Sequence, residues 1–100
     1  MKKDNENAWI TQVRKGTYEI AIMQLLQEKD MYGYDISASL KEIYDYSISP
    51  GAIYPIMKRL EESEWIESYW KKSNEGPNRK YYVLTKKGEV DRLHLIRQMD

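Results

Sequence analysis

Apolar residues recur at helical spacing along the first sixty positions of this chain. Between positions 65 and 85 they give way to a dense aromatic and β-branched pattern, and helical spacing then returns. Met1–Asn7 is polar and reads as a disordered tail. A long helix is expected from about Ala8 to Glu28, with Gly16 as its weak point. Tyr18, Ala21, Ile22, Leu25 and Leu26 form one apolar face, and Val13, Ile20 and Met23 form a second stripe edged by Gln24 and Gln27. One face suffices for the core of a small domain, so the second stripe points to another subunit, with a wide core face as the plainer alternative. Lys29–Gly33 breaks the period and reads as a turn. A second helix over Tyr34–Tyr44 spaces Ile36, Leu40 and Ile43 for burial, and Asp45–Ile48 connects it to a third helix that runs from Ser49 to about Ser63.

The third helix is the stretch the rest of the chain serves. Ser49 can cap it, and Pro50 sits at the first helical position, where its missing N–H is harmless. Ile53, Ile56, Met57 and Leu60 fall on one side. Gly51, Tyr54, Pro55 and Lys58 fall on the other, with Arg59 on the flank. A face slim at its start and basic further along suits a DNA major groove, although an ordinary amphipathic helix with a solvated face has the same pattern. Pro55 is uncomfortable this far into a helix, at a cost of about 3 kcal/mol.

Trp65–Trp70 and Arg79–Thr85 then read as two strands around the polar loop Lys71–Asn78. Thr85 can cap a last helix that begins at Lys86, whose Val90, Leu93, Leu95, Ile96 and Met99 spread wider than one face. Such a helix should be buried against something, and a twofold dimer packing it on the partner's first helix is the economical answer. Helix, connector, basic-faced helix and basic hairpin, in that order, make a winged helix-turn-helix. The expected class is mainly α with a small β-hairpin (α+β). Residues 1–7 form the tail, 8–85 the winged domain and 86–100 an added C-terminal dimerisation helix.

Composition sharpens this reading. One hundred residues make one domain with a modest core. The formal net charge is zero, which argues against a protein that coats nucleic acid indiscriminately. The charges are nevertheless segregated: Lys71–Lys87 holds six cations against the single anion Glu75, whereas Glu61–Glu67 holds four glutamates and no cation. A segregated patch still creates a directed local field. There is no cysteine, which removes disulfides, thiolate catalysis and Cys-based zinc sites. No apolar run approaches membrane-spanning length and no signal-peptide pattern opens the chain, so a cytoplasmic protein without a membrane partner is expected. Nine Tyr and three Trp with no Phe suit half-wet surfaces as well as a small core.

The candidate contacts follow. Lys58 could meet a phosphate or a guanine edge. Arg59 either does likewise or pairs with Glu61 or Glu62. Tyr54 lies near the helix start, where it meets DNA or packs on the second helix, and Gly51 permits close backbone approach. Lys71, Lys72, Asn78, Arg79 and Lys80 surround the wing and would touch phosphates, which position rather than specify. Tyr32 and Tyr34 could reach the backbone from the start of the second helix. Val13, Ile20, Met23, Val90, Leu93, Ile96 and Met99 are the expected dimer contacts. One histidine, His94, and no cysteine leave no metal site and no catalytic triad, and no nucleotide-binding motif appears, so no cofactor and no enzyme activity are expected. The rival class is a winged helix that binds protein rather than DNA, for which neutral charge and many tyrosines are also suitable.

Four motifs in order also resemble the PadR family of bacterial transcriptional regulators: Arg14-Lys15-Gly16-Thr17, Tyr32-Gly33-Tyr34-Asp35-Ile36, Ser49 through Glu61, and Arg79 through Gly88. Together they span roughly Lys15 to Leu93. The resemblance implies a winged-helix homodimer that represses transcription from a double-stranded DNA operator, with Tyr54, Lys58 and Arg59 at the recognition helix and Gly76-Pro77-Asn78 at the wing tip. The short last helix is similar to that of the smaller subfamily, which has a single dimerisation helix. The family often senses small aromatic or drug-like molecules, which implies a small-molecule effector, although no motif here identifies one.

Overall fold

The computed structural model describes residues 18–98. The tail at 1–7, the helix start at Ala8, Val13, the Arg14–Thr17 motif and Met99 lie outside the described residues. The order is α1 (Tyr18–Glu28), β1 (Met31–Tyr32), α2 (Gly33–Tyr44), α3 (Pro50–Glu62), β2 (Ile66–Lys71), β3 (Arg79–Leu84) and α4 (Lys86–Arg97).

Local chemistry sets the boundaries. The Ser49 hydroxyl accepts from the Ala52 N–H at 3.2 Å with Pro50 directly inside the helix, and the Thr85 hydroxyl accepts from the Gly88 N–H at 2.9 Å. Helix α2 ends where Asp45 turns left-handed, at φ 60°, and α3 is followed by Glu64 at φ 62°. Pro55 does not break α3. Its ring lies on the exposed side, and the one hydrogen bond it removes would have gone to the carbonyl of Gly51, near the helix start.

The core forms where these helices meet one face of the sheet. Ile53, Met57 and Leu60 of α3 join Ile22 and Met23 of α1, Ile36 and Leu40 of α2, and Tyr82 of β3, all buried. Each such aliphatic side chain stabilises the fold by about 1.5–3 kcal/mol. Within α2, Ile43 is exposed rather than buried, and Tyr44 takes the inward position beside it.

The sheet has three strands, ordered β1-β3-β2 and antiparallel throughout. The hairpin was legible in the sequence, but β1 was not: Met31 and Tyr32 lie in what reads as a turn, yet they pair with Tyr82 and Tyr81. Two residues are too few for a period. Registry fixes the faces: Ile66, Ser68, Trp70, Lys80, Tyr82, Leu84 and Met31 share one side, and Glu67, Tyr69, Lys71, Arg79, Tyr81, Val83 and Tyr32 share the other. The first set faces the helices, since Tyr82 and Met31 are buried.

Helix α4 docks on the α3–β2 junction. The Trp65 indole N–H donates to Asp91 at 2.8 Å, the Thr85 hydroxyl donates to the Glu64 carbonyl at 2.7 Å, and the Lys87 ammonium reaches both Ser63 O and Asp91. Farther along, the buried Arg92 guanidinium donates to Gln24 of α1 at 2.7 Å. This packing corrects the expected second stripe of the first helix. Ile20 and Met23 are already buried within one chain, so they belong to its own core and offer a partner almost no surface. No described helix is long and apolar enough to cross a membrane.

Candidate nucleic-acid interface

Amphipathicity places the candidate residues of α3. Because Ile53, Ile56, Met57 and Leu60 are drawn into the core, Gly51, Tyr54, Pro55, Lys58 and Arg59 turn outward. Tyr54 is 57% exposed. Lys58 is exposed and makes no ion pair with a described residue. Arg59 pairs with Glu19 of α1 at 2.8 Å, not with Glu61 or Glu62. Glu61 is engaged elsewhere: it accepts the Ser68 hydroxyl at 3.2 Å and lies 3.8 Å from the Lys80 ammonium, which ties the last turn of α3 to the hairpin.

The hairpin splits the basic residues between its two sides. Lys71 and Arg79 face each other across the wing base on the outer side. The Lys71 ammonium lies 5.1 Å from the centre of the Tyr81 ring, and the Arg79 guanidinium 4.7 Å from that of Tyr32. Both are thus held over aromatic faces, which leaves their charge available to an outside anion. Lys80 is on the inner side, half-buried above Tyr82 and beside Glu61, and stands apart from them. Lys72 and Asn78 are exposed in the loop.

A row of rings completes the outer side. Tyr34 stacks on Tyr32 with centres 6.3 Å apart, Tyr32 meets Tyr81 at 5.4 Å, and Tyr81 stacks on Tyr69 at 5.8 Å. Tyr69 and Tyr81 were not singled out from the sequence, because the row exists only once β1 pairs with β3. The Tyr69 hydroxyl donates to Asp30 at 2.7 Å, and that bond, foremost, raises its pKa above the ordinary value. Tyr82, on the inner side, is pushed up to about 12, chiefly by burial.

Tyr34 is 64% exposed at the start of α2, whose first turn has no side-chain cap. It rims an open hollow of about 500 Å³ between α2 and the start of α3, also lined by Lys41, Ser47 and Ser49. From the sequence Ser49 reads only as a helix cap and Ser47 only as part of the connector. Tyr34, the outer face of α3 and the basic wing therefore bring anion-seeking groups together from three elements. Elsewhere, Val90 and Leu93 stand exposed on α4, with Ile96 half-buried.

Known proteins share this fold. The family model of PadR-like transcriptional regulators matches residues 22–93. An uncharacterized protein of Lysinibacillus sphaericus is 33% identical over 86 residues, which cover 84% of this chain and 79% of that protein. The crystal structure of a PadR-like transcriptional regulator from Bacillus cereus matches with a TM-score of 0.72 at 36% identity, over 87% of this chain and 84% of its own. Bacillus subtilis PadR, solved in complex with operator DNA, matches with a TM-score of 0.73 at 26% identity, over 81% of this chain and 47% of its own. With its winged-helix fold and this match over most of its length, the chain belongs to the PadR-like family of DNA-binding transcriptional regulators.

Proposed function

We propose that this chain is a cytoplasmic, homodimeric repressor that binds an inverted-repeat operator, with α3 of each subunit in a major groove and its wing on the flanking backbone. The observation that carries the reading is the outward face of α3: Tyr54 is exposed and Lys58 is exposed without an ion pair to any described residue, on a helix whose opposite face is fixed in the core. Bacillus subtilis PadR in complex with operator DNA supplies the kind of partner. In this reading Lys58 and Tyr54 reach base edges, and Gly51 lets the backbone approach. Tyr34, Lys71, Lys72, Asn78 and Arg79 hold phosphates, with Tyr32 positioning Arg79. Two subunits related by a twofold axis would read half-sites about one helical turn apart, or a multiple of it. An effector that releases the DNA extends the reading, and small aromatic compounds that abolish operator binding would identify it.

Selection of bound sequences from a random duplex library tests the proposal, an enriched inverted repeat being the expected result. Folded, dimeric protein that enriches nothing would favour a protein-binding winged helix instead. On the selected operator, Lys58→Ala should cost about 1–3 kcal/mol and relax preference at one position. Lys71→Ala/Lys72→Ala should weaken all sequences alike and lower the slope of log K against log salt by roughly two. An equal loss from both variants with preference unchanged would remove Lys58 from base readout.

A further inference from the structure

The wing carries one large side chain that neither the core nor the basic patch accounts for. Trp70 is 67% exposed, more than any other large hydrophobic residue among those described. Strand alternation places it on the helix-facing side of the hairpin, in register with Lys80 and one step beyond the Ser68–Tyr82 pair. At that pair the core ends: Tyr82 is buried, and Ser68 and Lys80 meet Glu61 in the last turn of α3. Trp70 therefore overhangs the far side of this junction, on the same side of the sheet as the recognition helix. The other tryptophan of this region, Trp65, is half-buried and tied to Asp91, so it takes no part in that surface.

We infer that Trp70 is the apolar DNA contact of the wing, its ring resting on deoxyribose and the minor-groove edge beside the backbone that runs between α3 and the hairpin. Charge complementarity selects the occupant. Lys80 shares the indole's side of the hairpin, Lys71 and Arg79 stand on the outer side one step along, and Lys72 follows in the loop, with Glu75 the one anion from Lys71 to Lys80. A hairpin with an exposed ring on one side and cations along its edges and other side matches sugar faces flanked by phosphates. The indole N–H adds one donor for a phosphate oxygen or a base acceptor. This contact rests on the DNA-binding reading above and adds a residue that works by shape, not by charge.

That difference gives the test. Operator affinity is measured across a salt series for the wild type, Trp70→Ala and Trp70→Phe, with thermal melts to show that the exposed site leaves folding intact. Trp70→Ala should bind ~10-fold or more weakly at every salt concentration, with an unchanged slope, because no phosphate charge is lost. Trp70→Phe should recover part of the affinity, and the quenching of tryptophan emission on DNA binding should be largely lost in it. Trp70→Ala binding within twofold of wild type, or a loss accompanied by a shallower salt slope, overturns the assignment. Wild type that binds no DNA overturns the DNA-binding reading itself, whereas wild-type binding with Trp70→Ala unaffected overturns this contact alone.

Discussion

Gly88 shows how one residue can govern where a helix sits. A Cβ built there would lie 2.1 Å from the carbonyl oxygen of Trp65 and 2.8 Å from Leu84 Cδ1. The first contact is with backbone, so no rotamer change can relieve it. The absent side chain lets α4 press against the α3–β2 junction, where Trp65–Asp91 and Thr85–Glu64 bond. On an exposed helix, Gly→Ala gains roughly 0.5–1 kcal/mol. At this position the sign should reverse: Gly88→Ala is expected to lower stability by about 1–3 kcal/mol, as overpacking does. Urea denaturation measures it, and a variant as stable as wild type would mean that α4 can shift freely. Gly88 was legible in the sequence only as the last residue of the Arg79–Gly88 motif. Its steric reason depends on a carbonyl 23 positions upstream, which no local pattern reveals.

Among elements, legibility followed the strength of the period. Helix α3 could be read from its cap, its proline and four apolar residues at helical spacing, and these fix which side chains face outward. The wing could be read from turn residues between two aromatic strands. Strand β1 has two residues and no period, so the tyrosine row that depends on it stayed hidden. Ile20 and Met23 misled for a related reason: periodicity shows that a face is apolar but not which neighbour covers it, and here the chain's own fold does. The Arg59–Glu19 pair joins α3 to α1 across 40 positions and is equally invisible to local reasoning. It is exposed enough that its stability contribution should stay below about 1 kcal/mol. Its larger effect should fall on DNA affinity, because Glu19 holds the Arg59 charge that the recognition helix would otherwise offer to phosphate. Glu19→Gln is therefore expected to tighten operator binding a few-fold and steepen its salt dependence while hardly moving the melting temperature. Unchanged affinity would place Arg59 away from the DNA.

At the scale of the whole molecule, pH acts on the fold from both ends of its range. The indole N–H of Trp65, and then Lys87, hold the Asp91 carboxyl below its ordinary value of 3.8. That contribution is complete above pH 3.8 and is lost as pH falls through the lower folded value. Tyr82 runs the other way. Its folded pKa of about 12 exceeds the ordinary 10.0, so its contribution is complete below pH 10 and disappears as pH rises toward 12, with Tyr69 adding in the same direction. Denaturation across pH should show both limbs, with Asp91→Asn flattening the acid one and Tyr82→Phe part of the alkaline one. Between those limits, the outer side of α4 stands uncovered, with Val90 48% and Leu93 46% exposed. With Ile20 and Met23 buried in their own chain, the proposed twofold contact is assigned to these α4 residues. Val90→Asp/Leu93→Asp places charge on that side without touching the buried one, so each subunit should keep its helical content and unfold normally. Sedimentation should find dimers for the wild type, as proposed, and monomers for the double variant. Operator affinity should fall by about 10²–10⁴, because the second half-site no longer gains from the first. A double variant that remains dimeric would move the interface off α4, and one that is monomeric yet binds the operator at wild-type strength would end the inverted-repeat reading.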